Sequence, residues 1–185
     1  GAFAAPALLD TPVAIPPLLD GRLEGGQRKY DLTLQPGQRE FFTGFQTPTI
    51  GINGPFLGPV LRARRGESLA INVSNRLNEE STLHWHGLRL PGEMDGGPHQ
   101  VIAPGATWSP QFEIHQPAST QWFHSHAWHR TGAQVYQGLA GLFYIDDDLS
   151  AALDLPNEYG VDDIPLVLQD RSFNSDGSFR YVNNM

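Results

Sequence analysis

The feature that most constrains this chain is its punctuation. Twenty glycines and 15 prolines, 35 of 185 residues, recur so often that few stretches remain long enough for a helix. Leu149 to Tyr159 is the one stretch that reads as helical. Elsewhere the segments between turn signals are short and rich in β-branched and aromatic residues. Lys29 to Leu34 runs up to Pro36-Gly37, and Val60 to Arg64 runs up to Arg65-Gly66. Ser68 to Val73 and Thr107 to Ile114 alternate polar and apolar side chains, the pattern of a strand with one buried face, and Pro110 puts the second at an edge or a bulge. Leu139 to Ile145 and Ile164 to Leu168 are apolar runs, the first closed by Asp146-Asp147-Asp148. About seven or eight such strands predict an all-β chain, a Greek-key β-sandwich.

The length suits one well-buried domain. Residues 1–26 read as an extended N-terminal arm, because Pro6, Pro12, Pro16 and Pro17 withhold backbone donors. Residues 27–170 form the sandwich. Residues 171–185 are polar, turn at Asn174-Ser175-Asp176-Gly177, and read as the start of a linker to a second domain. Ala2-Phe3-Ala4-Ala5-Pro6 resembles the small-residue end of a processed signal peptide, which predicts a periplasmic or secreted location.

Composition excludes several functions. A net charge of −8, with one basic cluster at Arg62, Arg64 and Arg65, leaves no footprint for nucleic acid. No run of about 18 apolar residues offers a membrane-spanning helix. With no cysteine there is no disulfide, no thiolate nucleophile and no thiolate metal ligand.

Chemistry concentrates in two His-x-His pairs, His84-Trp85-His86 and His124-Ser125-His126, each in a segment of strand character. In a strand, residues i and i+2 share a face about 6–7 Å apart, so each pair aims two imidazoles the same way and two adjacent strands offer four. Neutral imidazole suits copper, zinc, iron and nickel, and Cu(II) binds most strongly among them. One such pair is commonly a surface accident. Two pairs, both beside aromatics and glycines, point to a metal site.

These residues resemble the multicopper oxidase family. Thr82-Leu83-His84-Trp85-His86-Gly87-Leu88, followed by Pro91-Gly92-Glu93-Met94-Asp95-Gly96-Gly97-Pro98, is similar to its first copper motif, above all in the bacterial copper-efflux (cuprous) oxidases. Trp122-Phe123-His124-Ser125-His126, with Thr131-Gly132 and Gly138-Leu139-Ala140-Gly141, is similar to its second. Gly51-Ile52-Asn53-Gly54-Pro55, Leu57-Gly58-Pro59 and Arg65-Gly66-Glu67 extend the resemblance over nearly all the chain from Pro16. It implies the N-terminal cupredoxin-like domain of such an enzyme and half of the ligands of a trinuclear copper centre. His84 would hold the type 2 copper, His86 and His124 would share one type 3 copper, and His126 would hold the other. Asp95 would be the acid that helps deliver protons as dioxygen is reduced to water. Trp85 would turn away into packing, and Ser125 would help orient the imidazoles. His99, His115 and His129 read as loop or surface histidines, and Ala127-Trp128-His129-Arg130 departs from the family's pattern.

The resemblance also implies what lies outside these residues. A type 1 copper needs a cysteine, and the other trinuclear histidines belong to the family's last domain. The expected partners are therefore the remaining cupredoxin domains, as a cleaved or missing segment or a second chain, with dioxygen as oxidant and cuprous ion, a phenol or another metal ion as reductant. Three other readings compete: a copper-binding or buffering module, a non-catalytic cell-division relative of the oxidases, and a copper-zinc superoxide dismutase. Retention of all four histidines weighs against the second, and the lack of cysteine against the third.

Overall fold

A computed structural model describes residues 12–182. Its strands, in chain order, are β1 (Leu18–Leu19), β2 (Arg22–Glu24), β3 (Gln27–Phe42), β4 (Phe45–Ile52), β5 (Val60–Arg64), β6 (Ser68–Asn75), β7 (His84–His86), β8 (Thr107–Trp108), β9 (Gln111–Glu113), β10 (Ser119–His124) and β11 (Ala140–Asp146). Two short helices, α1 (Thr131–Gln137) and α2 (Asp148–Ala151), and a 3₁₀ turn at Gly92–Met94 complete it. One sheet runs β1-β5-β11-β10-β7, and the other runs β2-β3-β6-β8, with β4 added to β3 and β9 to β6. The chain is an all-β sandwich, as expected. Its strand pairs are mixed: β5 lies parallel to β1 and β11, and β3 lies parallel to β6.

Alternation builds the core. Tyr30, Leu32 and Leu34 of β3 and Leu69, Ile71 and Val73 of β6 are buried, while the residues between them face out at least in part. The other sheet supplies Leu61, Phe143, Ile145, Phe123 and Trp85. Burying each such side chain stabilises by about 1.5–3 kcal/mol. Trp85 is fully buried, its ring centroid 5.9 Å from that of Phe123, 6.0 Å from Phe112, and 6.3 Å from both Trp108 and Phe143. Its Nε1 has no hydrogen-bond partner among the described residues, a cost of about 1–3 kcal/mol that the aromatic packing outweighs.

The strand Val60–Arg64 falls where the turn signal closes it, and Ser68–Asn75 where the alternation puts it. Ser109-Pro110 splits the expected Thr107-to-Ile114 strand into β8 and β9, both paired with β6. Four local expectations are corrected. Pro36-Gly37 is no turn: β3 runs through it, because at Leu34 the strand exchanges its neighbour β6 for β4. Pro36, which has no N–H to donate, sits beyond the last residue paired with β6, where that edge makes no demand on it. Residues 18–24, expected in an extended arm, pair with β5 and β3, since the prolines of this stretch stop at Pro17. Ile164 to Leu168 forms no strand. The helix expected over Leu149 to Tyr159 shrinks to α2, one turn begun by Asp147, whose side chain accepts from the Ser150 amide. The signal-peptide end at Ala2 to Pro6 and the final Asn183-Asn184-Met185 lie outside the described residues.

Candidate metal centre

β7 and the end of β10 pair antiparallel at one edge of the first sheet, with His124 opposite His84, Phe123 opposite Trp85, and Trp122 opposite His86. Because side chains alternate, Trp85 and Phe123 enter the core, and the histidines project from the other face. The core tryptophan therefore fixes which way its two neighbouring imidazoles point.

His84, His86 and His124 each offer a ring nitrogen, and these three atoms lie within 4.8 Å of one another. His86 Nδ1 and His124 Nε2 are 3.2 Å apart. Two nitrogens sharing one ion at about 2.0–2.1 Å sit at such a separation when the angle at the ion is near tetrahedral. The spacing of the pair therefore matches that of two ligands on a common metal. His126 stands beside the group, its ring centroid 5.3 Å from that of His84 and 6.0 Å from that of His124. Its amide donates to Thr82 Oγ1 at 2.8 Å, which ties the turn after β10 to the residues before β7.

Two of the imidazoles have one ring nitrogen engaged by a backbone carbonyl. His84 Nδ1 lies 2.9 Å from the Asp95 carbonyl oxygen and 3.2 Å from its Oδ2, so an Nδ1–H donated there leaves Nε2 free for a metal. His124 Nδ1 lies 2.7 Å from the Ser125 carbonyl oxygen and is fixed in the same way. Burial pushes the His124 pKa from 6.5 down to about 4, and the neighbouring imidazoles of His84, His86 and His126 add to this, so the ring stays neutral. Trp122 covers the cluster from one side, with its ring centroid 4.0 Å from that of His124 and 4.9 Å from that of His86.

Asp95 closes the 3₁₀ turn, and its carbonyl also accepts from the Trp85 amide at 3.2 Å. This approach requires glycine next in sequence. Gly96 has φ +73°, and a Cβ there would lie 1.8 Å from the Leu83 carbonyl oxygen. The remaining histidines stay apart. His99 lies exposed in a turn, His115 pairs with Glu113 at 3.4 Å, and His129 lies against Trp128 with φ +55°.

One buried group behind the histidines escaped sequence reading. Gln134, on α1, has no solvent exposure and joins Ser81 and Glu80, before β7, to Ser125, after β10. A polar residue inside a helix that was not itself anticipated carries no signal in the pattern of the chain.

A sandwich that gathers three histidines at the ends of two paired strands could hold a metal ion there. A family model described as multicopper oxidase matches residues 33–150, and the chain belongs to that family. It is 42% identical over 162 residues to the multicopper oxidase mco of Staphylococcus aureus, covering 87% of this chain and 36% of the relative. It is also 41% identical over 170 residues to the cell division protein FtsP of Salmonella typhimurium, covering 92% of this chain and 36% of that protein. Among solved structures, the laccase-like multi-copper oxidase CueO of Ochrobactrum sp. superposes with a TM-score of 0.85 at 43% identity, over 93% of this chain and 38% of that one. A laccase from Pediococcus acidilactici gives 0.88 at 37% identity, over 92% and 37%. The chain spans little more than a third of the length of these relatives. The family binds copper, and the cupredoxin-like sandwich is that of its solved members. No helix among the described residues is long and apolar enough to cross a membrane.

Proposed function

We propose that this chain is the dioxygen-facing part of a copper oxidase that couples four one-electron oxidations to the reduction of dioxygen to water. The observation that carries this reading is the cluster of His84, His86 and His124, with two nitrogens already at the spacing of a shared ion. In this assignment His84 holds the type 2 copper, His86 and His124 share a type 3 copper, and His126 holds its partner ion. Copper bound there supplies the single-electron redox chemistry that carries electrons to dioxygen.

The chain's own residues prepare that chemistry. The Asp95 and Ser125 carbonyls fix the tautomers of His84 and His124, and burial keeps His124 unprotonated at neutral pH. In this reading the Asp95 carboxylate, 3.2 Å from His84 Nδ1 and so on the ring edge away from the metal, would deliver protons towards the reduced oxygen through water. The reductant, whether cuprous ion, a phenol or another metal ion, meets the protein at the type 1 copper of the remaining cupredoxin domains. A periplasmic or secreted location accords with this chemistry and with the small-residue stretch at Ala2 to Pro6.

The relatives called cell division proteins are as similar as the oxidases, so overall identity does not choose between the two. The histidine cluster favours the oxidase. Copper content and oxygen uptake of the full-length protein test this. An oxidase carries a type 1 ion plus a full trinuclear set and consumes dioxygen, a structural relative carries none, and a buffering module carries copper without turnover. In the full-length enzyme His84→Ala should abolish the type 2 signal and oxygen uptake while the type 1 colour survives. Undiminished turnover would remove His84 from the site.

A further inference from the structure

We propose that Gln134 is a positioning residue that clamps the two histidine segments to each other and so sets the spacing of the copper ligands. The proposal rests on the copper-oxidase reading above and concerns how that site is held.

The side-chain amide of Gln134 sits fully buried between the two segments. Its Oε1 accepts from Ser81 Oγ at 2.8 Å and from Ser125 Oγ at 2.5 Å, and its Nε2 donates to the Glu80 carbonyl at 2.9 Å. Ser81 and Glu80 lie just before Thr82-Leu83-His84. Ser125 lies between His124 and His126, and its Oγ also accepts from the Ala127 amide at 3.3 Å. One planar amide therefore fixes both segments at once. It is placed by α1, whose turn carries the Gln134 carbonyl to the amides of Gly138 and Leu139 at 3.1 and 3.0 Å, and Leu139 in turn accepts from the Ser125 amide at 3.2 Å.

The chemistry of the position calls for an amide. A carbonyl oxygen with two lone pairs takes both serine hydroxyls, and an N–H is needed for Glu80. Leucine fills similar space but leaves the buried Ser125 hydroxyl without its acceptor, and Ser81 Oγ with only the Thr82 carbonyl at 3.2 Å. Glutamate introduces a buried charge and faces the Glu80 carbonyl with no donor. Among the described residues, the other side-chain ties between these segments are His126 N to Thr82 Oγ1 and the contact between the His86 and His124 rings, and neither of them engages Ser125.

The test uses the full-length protein with Ser125→Ala and Ser81→Ala, which each remove one arm, and Gln134→Leu, which removes the hub. In the metal-free protein, amide exchange should rise together in peptides spanning residues 79–86 and 123–127, most for Ser125→Ala and Gln134→Leu and less for Ser81→Ala, which keeps the tie to the Glu80 carbonyl. With copper added, affinity at the histidine cluster should fall about tenfold or more. Cu(II) of the type 3 pair, silent in paramagnetic resonance while its two spins couple, should become visible. Because Ser125 is the one contact of the amide on its side, the Ser81→Ala/Ser125→Ala double variant should be little worse than Ser125→Ala alone, where independent structural losses would add. If Gln134→Leu does not fold, the serine variants decide the matter. Folded serine variants with wild-type exchange, copper affinity and resonance would overturn the proposal, as would exchange that rises in one histidine segment only. If the wild-type protein takes up no copper, the oxidase reading fails, and the exchange data still decide whether Gln134 couples the two segments.

Discussion

Ser119–His124 and the stretch from Ile164 to Leu168 are both short and carry β-branched or aromatic residues, yet they meet different surroundings. In the first, every residue pairs with β11, and Trp122, Phe123 and His124 pair with β7 as well. Phe123 and His124 are buried as a result. In the second, no residue has a ladder partner among the described residues, Leu166 is 66% exposed, and Leu168 is 91% exposed. Strand propensity describes a side chain that suits a pleated, half-buried surface, and it yields a strand only where a neighbouring strand and a facing core exist. The first segment holds His124 of the candidate site because neighbouring strands pair with both of its edges there and a packed core backs one face.

The contrast can be broken from either side. Truncating the rigid side should cost most: Trp85→Ala should destabilise the protein by about 3–5 kcal/mol in chemical denaturation and loosen the histidines on either side of it. Acid should act next, through His124. Its folded pKa of about 4 lies below the ordinary 6.5, so between these values the unfolded chain binds the proton and the folded one does not. Stability of the metal-free protein should therefore be lost as pH falls from about 6.5 to about 4, by about 3 kcal/mol from this group. A His124→Gln variant should lack that part of the pH dependence. An unchanged slope would show that the ring is not held neutral by burial. Smallest of all, Leu168→Ala should shift the unfolding midpoint by no more than about 0.5 kcal/mol. A loss as large as that of a core truncation would mean that this stretch is packed in solution and that the comparison is wrong.

The sandwich and the shared face of the paired histidines were legible because both follow from local rules. Alternation at Ser68 to Val73 named a buried face, and the i, i+2 spacing of His84 and His86 put two imidazoles on one side with Trp85 on the other. What was not legible depends on partners distant in the chain. The run of β3 through Pro36-Gly37 is decided by β4 arriving at Leu34, and the loss of a strand at Ile164 to Leu168 by the absence of a neighbouring strand among the described residues. The pairing that sets His124 opposite His84 came from no periodicity, and neither did the buried Gln134 amide behind them. Asp95 illustrates the boundary. Its place before Gly96-Gly97 reads as an ordinary turn, and only the fold brings its carbonyl and carboxylate to one imidazole.

The most direct test of the account is an anomalous difference map at the copper edge, from crystals of the full-length protein grown with copper. The account predicts a peak about 2.0–2.1 Å from both His86 Nδ1 and His124 Nε2, with further peaks at His84 and His126. Copper bound elsewhere, with no density between His86 and His124, would contradict it.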